Sequence, residues 1–314
     1  MNAFKTLIKS WNKSTLTQKV FYVSSTLLLI HVVAKLNRND NIKEGFDKNN
    51  TKTLTTKRGN KVYDEFYASI YDDLLHSEIK NKYEIDNIMK ITTPNKKSVV
   101  LDVGSGTGHH VNAFTKNGVK SMGIDISPAM VNKSKELFPS NEFRVGDVLK
   151  TMNFQADTLT HITCLYFTIY YIENKKQFFN NCMHWLLPGG YLILHLVDRD
   201  NFDPIIPAGD PFMVVSPQKY ADKRITSTVV KFDDFEYKAN FDVVNDNDVA
   251  ILNEVFKYKD NSQLRKNEHK LYMAPQRNIL SMAKDAGFLL KDKLDMTMCQ
   301  YADQYLYILQ KPDI

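Results

Sequence analysis

Asp102, Gly104, Gly106 and Gly108 stand on alternate positions in "VVLDVGSGTGHH", residues 99–110. Three of the chain's 12 glycines thus fall within five positions. Glycine reaches backbone angles other residues avoid and lets main chain approach a ligand closely. Val99 to Val103 are β-branched or aliphatic, which predicts a buried strand. A helix beginning near Gly108 would turn its free N–H groups toward an anionic group. The stretch therefore reads as a strand–loop–helix nucleotide site. The dinucleotide fingerprint needs a third glycine at the sixth position of the loop, and His109 stands there instead.

Further polar residues fall at predicted strand ends. Asp125 closes "GIDIS", where a carboxylate can accept from both hydroxyls of a ribose. Asp147 lies in "GDV", placed to accept from an adenine amino group. His195 and Asp198 stand near the exit of another strand, and His195 is the candidate base. "CLYFTIYYI", residues 164–172, supplies Tyr166, Phe167, Tyr170 and Tyr171, aromatic faces able to attract a cation. Tyr170 is a weaker catalytic candidate, and Phe167 a substrate contact. Arg265 and His269 in "LRKNEHKLY" are further substrate candidates. Adjacent His109 and His110 point about 100° apart on a helix and make a poor metal pair. Cys164, Cys182 and Cys299 show neither metal-ligand spacing nor a disulfide framework, so no metal site is expected.

The elements that must position these groups alternate. Strands are expected at 98–103, 119–124, 142–145, 158–165 and 191–197, with helices at 108–117, 127–137 and 173–187. Ser127-Pro128 opens the second helix as N-cap and first-turn proline, and "LPGG", 187–190, ends the third. This rhythm predicts an α/β domain, a doubly wound and mostly parallel sheet with ligands beyond its carboxyl edge. After strand five, residues 198–274 carry a proline-rich loop and alternating runs that predict an antiparallel β insertion, a lid over that edge. A helix at 275–286 and strands at 288–296 and 304–310 complete seven strands.

The order of these motifs closely resembles the class I S-adenosylmethionine-dependent methyltransferases, in particular the small-molecule group called type 11. The resemblance covers residues 62–197 by motif and 275–310 by topology. It implies a Rossmann-like methyltransferase fold and S-adenosyl-L-methionine as cofactor. It also implies roles: Gly104 and Gly106 against the methionine moiety, and Asp102 orienting the loop. Asp125 would hold the ribose, Ile126 and Met130 the adenine face, and Asp147 with the Val148 N–H the adenine edge. Tyr71 would reach the cofactor carboxylate, and Cys164 and Leu165 would lie beside the sulfonium. The expected reaction is methyl transfer to N or O of a small-molecule acceptor. Open alternatives are a non-catalytic cofactor-binding scaffold, or a lipid, quinone or protein acceptor; the failed fingerprint disfavours a nicotinamide oxidoreductase.

Charge separates the ends of the chain. Residues 1–61 hold 12 Lys/Arg against 3 Asp/Glu, and the remainder 29 against 33, so the globular part carries no nucleic-acid footprint. Residues 20–34, "VFYVSSTLLLIHVVA", are uncharged between Lys19 and Lys35. As a helix they rise about 22 Å, short of the roughly 30 Å hydrocarbon core unless the lysines snorkel. The expected organisation is a hydrophobic and basic segment at 1–36, a polar linker at 37–61 and the catalytic domain at 62–314. The first segment is read as a single-helix membrane anchor with the domain facing the cytosol, or as a targeting signal.

Overall fold

The computed structural model describes residues 53–204, 224–244, 248–259 and 263–313, together with Thr15 and residues 17–19. Residues 52–314 form one compact unit, and residues 1–51 a second. The segment 20–34, expected as an anchor, lies outside the described residues. Among the described residues no helix is long and apolar enough to cross a membrane.

The central sheet has seven strands. β2 (Val99–Val103), β3 (Lys120–Asp125), β4 (Glu142–Val145), β5 (Leu159–Cys164) and β6 (Leu186–Val197) run parallel, and β11 (Leu289–Asp295) and β12 (Gln304–Gln310) close one edge antiparallel. Their order is β11-β12-β6-β5-β2-β3-β4. The sheet reverses direction of growth between β2 and β5, and a doubly wound sheet opens its binding crevice there. Helix α3 (His109–Lys116) follows the glycine loop, and α4 (Pro128–Leu137) follows β3. Ser127 caps α4 by accepting the Met130 N–H at 3.1 Å, as the Ser-Pro pair predicts. The short α5 (Thr168–Tyr171) and α6 (Lys175–Trp185) lead from β5 to β6. The central strands are apolar on both faces: Val100, Leu101, Ile162, Leu192 and Ile193 are buried between helix layers.

The insertion supplies four antiparallel strands, as its alternation predicts, to a five-stranded sheet ordered β1 (Thr53–Arg58), β10 (Gln263–Tyr272), β9 (Val249–Tyr258), β8 (Phe235–Val244) and β7 (Ser227–Lys231). β1 corrects the expected linker at 37–61. Residues 53–58 pair in parallel register with 263–268, so alternate polar side chains can form an edge strand once a partner backbone is present. Helix α1 (Glu65–Leu75) lies under this sheet, where Phe66, Tyr67 and Leu74 pack with Phe235, Tyr237 and Phe256. Helix α2 (Glu78–Thr92) covers the central sheet through Ile85 and Ile88, and α7 (Gln276–Asp285) through Ile279 and Ala283.

Candidate active site

The carboxyl ends of the central strands and one face of the five-stranded sheet line a cavity of about 440 Å³. That is within the range of small-molecule sites. Its floor is the glycine loop. Gly104, Gly106 and Gly108 have φ of 64°, 53° and 89°, a region that costs any residue with a Cβ. A Cβ on Gly104 would also lie 2.5 Å from Thr168 Cγ2, so α5 packs directly on this glycine.

Asp125 ties the loop to the next strand. Its Oδ2 accepts the Gly106 N–H at 3.0 Å and its Oδ1 the Ser127 N–H at 2.8 Å. Burial raises its pKa, and these two backbone donors work against the rise. Asp102 is buried and accepts the Thr163 hydroxyl at 2.6 Å; burial raises its pKa as well. Asp147 accepts the Leu149 N–H at 2.9 Å through Oδ1 and lines the cavity with Val148. Ile126, Met130, Tyr71 and Leu165 also line it, Tyr71 with its ring 3.6 Å from where a Cβ on Gly106 would be. A bare backbone floor, two strand-end carboxylates and an apolar side wall in sequence along one groove fit S-adenosylmethionine.

Other expected site residues lie elsewhere. Cys164 is in the apolar core beneath the cavity, and burial pushes its thiol pKa up. Tyr170 is buried too; its hydroxyl accepts the Val197 N–H at 2.8 Å and braces β6. His195 is wholly buried behind Tyr166. Its Nδ1 accepts the Tyr166 N–H at 3.2 Å and its Nε2 donates to Gln304 at 3.0 Å, so it is not positioned as a base in the cavity. Arg265 clamps Asp64 at 2.8 and 3.0 Å and stacks over Phe66, fastening β10 to α1 with no face to the cavity. His269 is one layer behind the wall, bonded to Tyr171. Phe167 does line the cavity.

Six tyrosines contribute to the cavity lining, Tyr71 packing against the glycine loop itself. Tyr63, Tyr67, Tyr71, Tyr166, Tyr171 and Tyr272 all face the cavity. Tyr63 meets Tyr67 and Tyr171 edge-on, with centroids 5.3 and 5.7 Å apart. Tyr166 holds φ of 52°, strained for an aromatic residue, and its N–H bond to His195 pins it there. Asp72 also reaches the cavity, bonded to Thr107 at 2.6 Å and His109 at 2.9 Å. Lys80 and His110 form one flank, both bound to the buried Glu84 at 2.9 and 2.8 Å. Sequence reasoning missed Asp72, Lys80, Glu84 and Glu254. All four sit in helices or alternating strands, where a charged residue reads as solvated; tertiary packing buries Lys80, Glu84 and Glu254 and leaves Asp72 partly exposed. Among the described residues no cluster of His, Cys, Asp and Glu could hold a metal ion.

Residues 101–194 match the family described as "Methyltransferase domain", type 11. Phosphoethanolamine N-methyltransferase of Plasmodium falciparum (isolate 3D7) is 26% identical over 254 residues, covering 76% of this chain and 84% of that protein. The dTDP-4-amino-2,3,4,6-tetradeoxy-D-glucose N,N-dimethyltransferase of Saccharopolyspora spinosa is 28% identical over 142 residues, 42% of this chain and 55% of that one. Among solved structures, CalS10 with S-adenosylmethionine bound, an amino pentose methyltransferase from Micromonospora echinaspora, superposes with a TM-score of 0.57 at 17% identity, over 78% of this chain and 96% of that one. At that identity the likeness is one of fold. Sheet order, glycine loop and family match together make this chain a class I S-adenosylmethionine-dependent methyltransferase. It is an enzyme, its cofactor is S-adenosylmethionine, and its methyltransferase signature occupies residues 101–194.

Proposed function

We propose that the enzyme methylates the nitrogen of a small, positively charged amine. The observation that carries this reading is the set of tyrosines, Tyr63, Tyr67, Tyr71, Tyr166, Tyr171 and Tyr272, lining the same cavity as the glycine loop. Ring faces attract ammonium by about 0.5–2 kcal/mol each, more when water is excluded. Asp72 and Glu173 at the cavity's margin add negative potential. The two named relatives, one acting on phosphoethanolamine and one on an amino sugar, support a nitrogen acceptor.

S-adenosylmethionine supplies a sulfonium-activated methyl group for in-line displacement. The chain's own work is to hold the acceptor in line and keep water out. Gly104 and Gly106 permit close approach from below, while Phe167, Leu252 and Leu271 line the cavity between floor and lid with apolar surface. Methyl transfer from labelled cofactor to ethanolamine, phosphoethanolamine and glucosamine, each against the matched alcohol, tests the reading. Label in at least one amine and none in the alcohols is expected. Equal labelling of alcohols would replace it with an O-methyltransferase.

A further inference from the structure

A buried carboxylate lies two residues away from the cavity along a hydrogen-bonded chain. Tyr171 lines the cavity at the end of α5. Its hydroxyl is 2.9 Å from His269 Nδ1, and His269 Nε2 is 2.7 Å from Glu254 Oε2. His269 and Glu254 face each other from β10 and β9 and are 1% and 0% exposed at the side chain. A carboxylate only accepts, so Glu254 fixes the ring proton on Nε2 and leaves the Nδ1 lone pair for the Tyr171 O–H.

The surroundings maintain Glu254 as a carboxylate. Burial would raise its pKa, but His269, the Asn267 amide at 3.0 Å and the Tyr237 hydroxyl at 2.9 Å outweigh burial and lower it. Tyr67 donates a further bond at 2.9 Å. The groups around His269 are therefore Glu254 from β9, Tyr171 from α5, Tyr67 from α1 and Tyr63 just before it, with Tyr237 of β8 behind Glu254. Arg265 approaches only through Asn267, which it meets at 2.9 Å. A fold needs no buried Glu–His pair aimed at one tyrosine hydroxyl. A buried charge pair is weak evidence for stability alone.

We propose that Tyr171, His269 and Glu254 form a proton relay that converts the acceptor's ammonium to the nucleophilic amine, a role that rests on the amine reading above. An N–H bond of the ammonium breaks and its proton joins the Tyr171 oxygen. The original Tyr171 proton passes to His269 Nδ1, and the resulting imidazolium is held by the Glu254 carboxylate. The phenol ends neutral, so its high pKa is no obstacle. The freed nitrogen lone pair forms the new N–CH3 bond, and the C–S bond electrons return to sulfur. The proton on His269 returns through the Tyr171 hydroxyl to water once product has left the cavity. Tyr171 is the catalytic residue, and His269 and Glu254 act through it.

Two measurements on the full chain test the relay. Nitrogen-15 spectra of the histidine side chains, recorded with the demethylated cofactor bound and His269 assigned by His269→Gln, are expected to show its proton on Nε2 and a bare Nδ1. A proton on Nδ1 would overturn the relay. Tyr171→Phe keeps the ring and removes only the hydroxyl. It is expected to reduce kcat/KM for the amine labelled above by about 10²–10⁴ near neutral pH, with cofactor affinity unchanged. The deficit should shrink as pH rises toward the amine's own pKa, where solution supplies free amine. A deficit that is the same at every pH marks Tyr171 as a packing residue and overturns the relay. Absence of turnover on every amine overturns the amine reading, and with it the proton donor assigned here, while the spectra still decide the relay's geometry.

Discussion

Asp125 braces the glycine loop with both carboxylate oxygens, and we propose that it also binds the cofactor ribose. Each oxygen already accepts one backbone N–H, so a ligand hydroxyl would use the remaining lone pairs. Asp125→Ala is expected to weaken binding of the demethylated cofactor by about 1.5–3 kcal/mol, the scale of hydrogen bonds to a charged acceptor. Isothermal titration checks this; unchanged affinity would make Asp125 a loop brace only. Glu84 answers to pH. Burial would raise its pKa, but Lys80 and His110 carry it well below the usual carboxylate value. A depressed folded pKa contributes stability that is complete above about 4.5, the unfolded value, and is lost as pH falls below it. Urea midpoints between pH 6 and 3 should fall more steeply for the wild type than for Glu84→Gln. Lys80→Met leaves the buried carboxylate without its lysine and should cost about 3–5 kcal/mol.

At the scale of elements, the segment between β5 and β6 couples cofactor floor to lid. Thr168 of α5 packs on Gly104, and Lys175 at the start of α6 donates to Ile172 and to Tyr272 of β10 at 2.8 and 2.7 Å. Burial pushes the Lys175 pKa down to about 8. Between pH 8 and about 10.5 the unfolded chain binds a proton there that the folded chain has released, so this group makes stability rise with pH across that window. The difference between wild type and Lys175→Met in denaturation midpoint should show that slope, and a flat difference would mean that the lysine is solvated. Gly104→Ala is expected to impair cofactor binding, because its Cβ meets Thr168 in addition to the unfavourable φ. The alternation of strands and helices in the central sheet was legible from apolar runs and caps, and observed limits differ little from those expected, apart from β6, which begins at Leu186, directly after α6. β1 was not legible, since "TLTTKR" lacks the apolar content of a strand and is stable only against β10.

At the scale of the whole molecule, motifs at strand ends were readable because each is set by its own local strand–loop–helix geometry. Tyr171 and His269 were candidates from their types alone, but their pairing with Glu254 was not readable, because Tyr171 meets His269 across 98 residues and Glu254 joins them only through the pairing of β9 with β10. His195 and Arg265 were chosen for chemistry that packing then redirected inward. The pairing of β1 with β10 fixes where the chain can be cut. Removing residues 1–51 is expected to leave cofactor affinity and the unfolding midpoint unchanged, whereas removal through residue 61 should lower the midpoint by stripping β1 from the lid.

The central claim is that one cavity presents a methyl donor and a cation-selective tyrosine lining. Choline and its neutral isostere 3,3-dimethyl-1-butanol have the same shape and differ in charge. Titrating each into the full chain saturated with demethylated cofactor isolates that lining. The expected result is choline binding at least tenfold tighter, a difference of about 1.4 kcal/mol and within the range of a few ring faces. Equal affinity for the two, or tighter binding of the alcohol, would contradict the account.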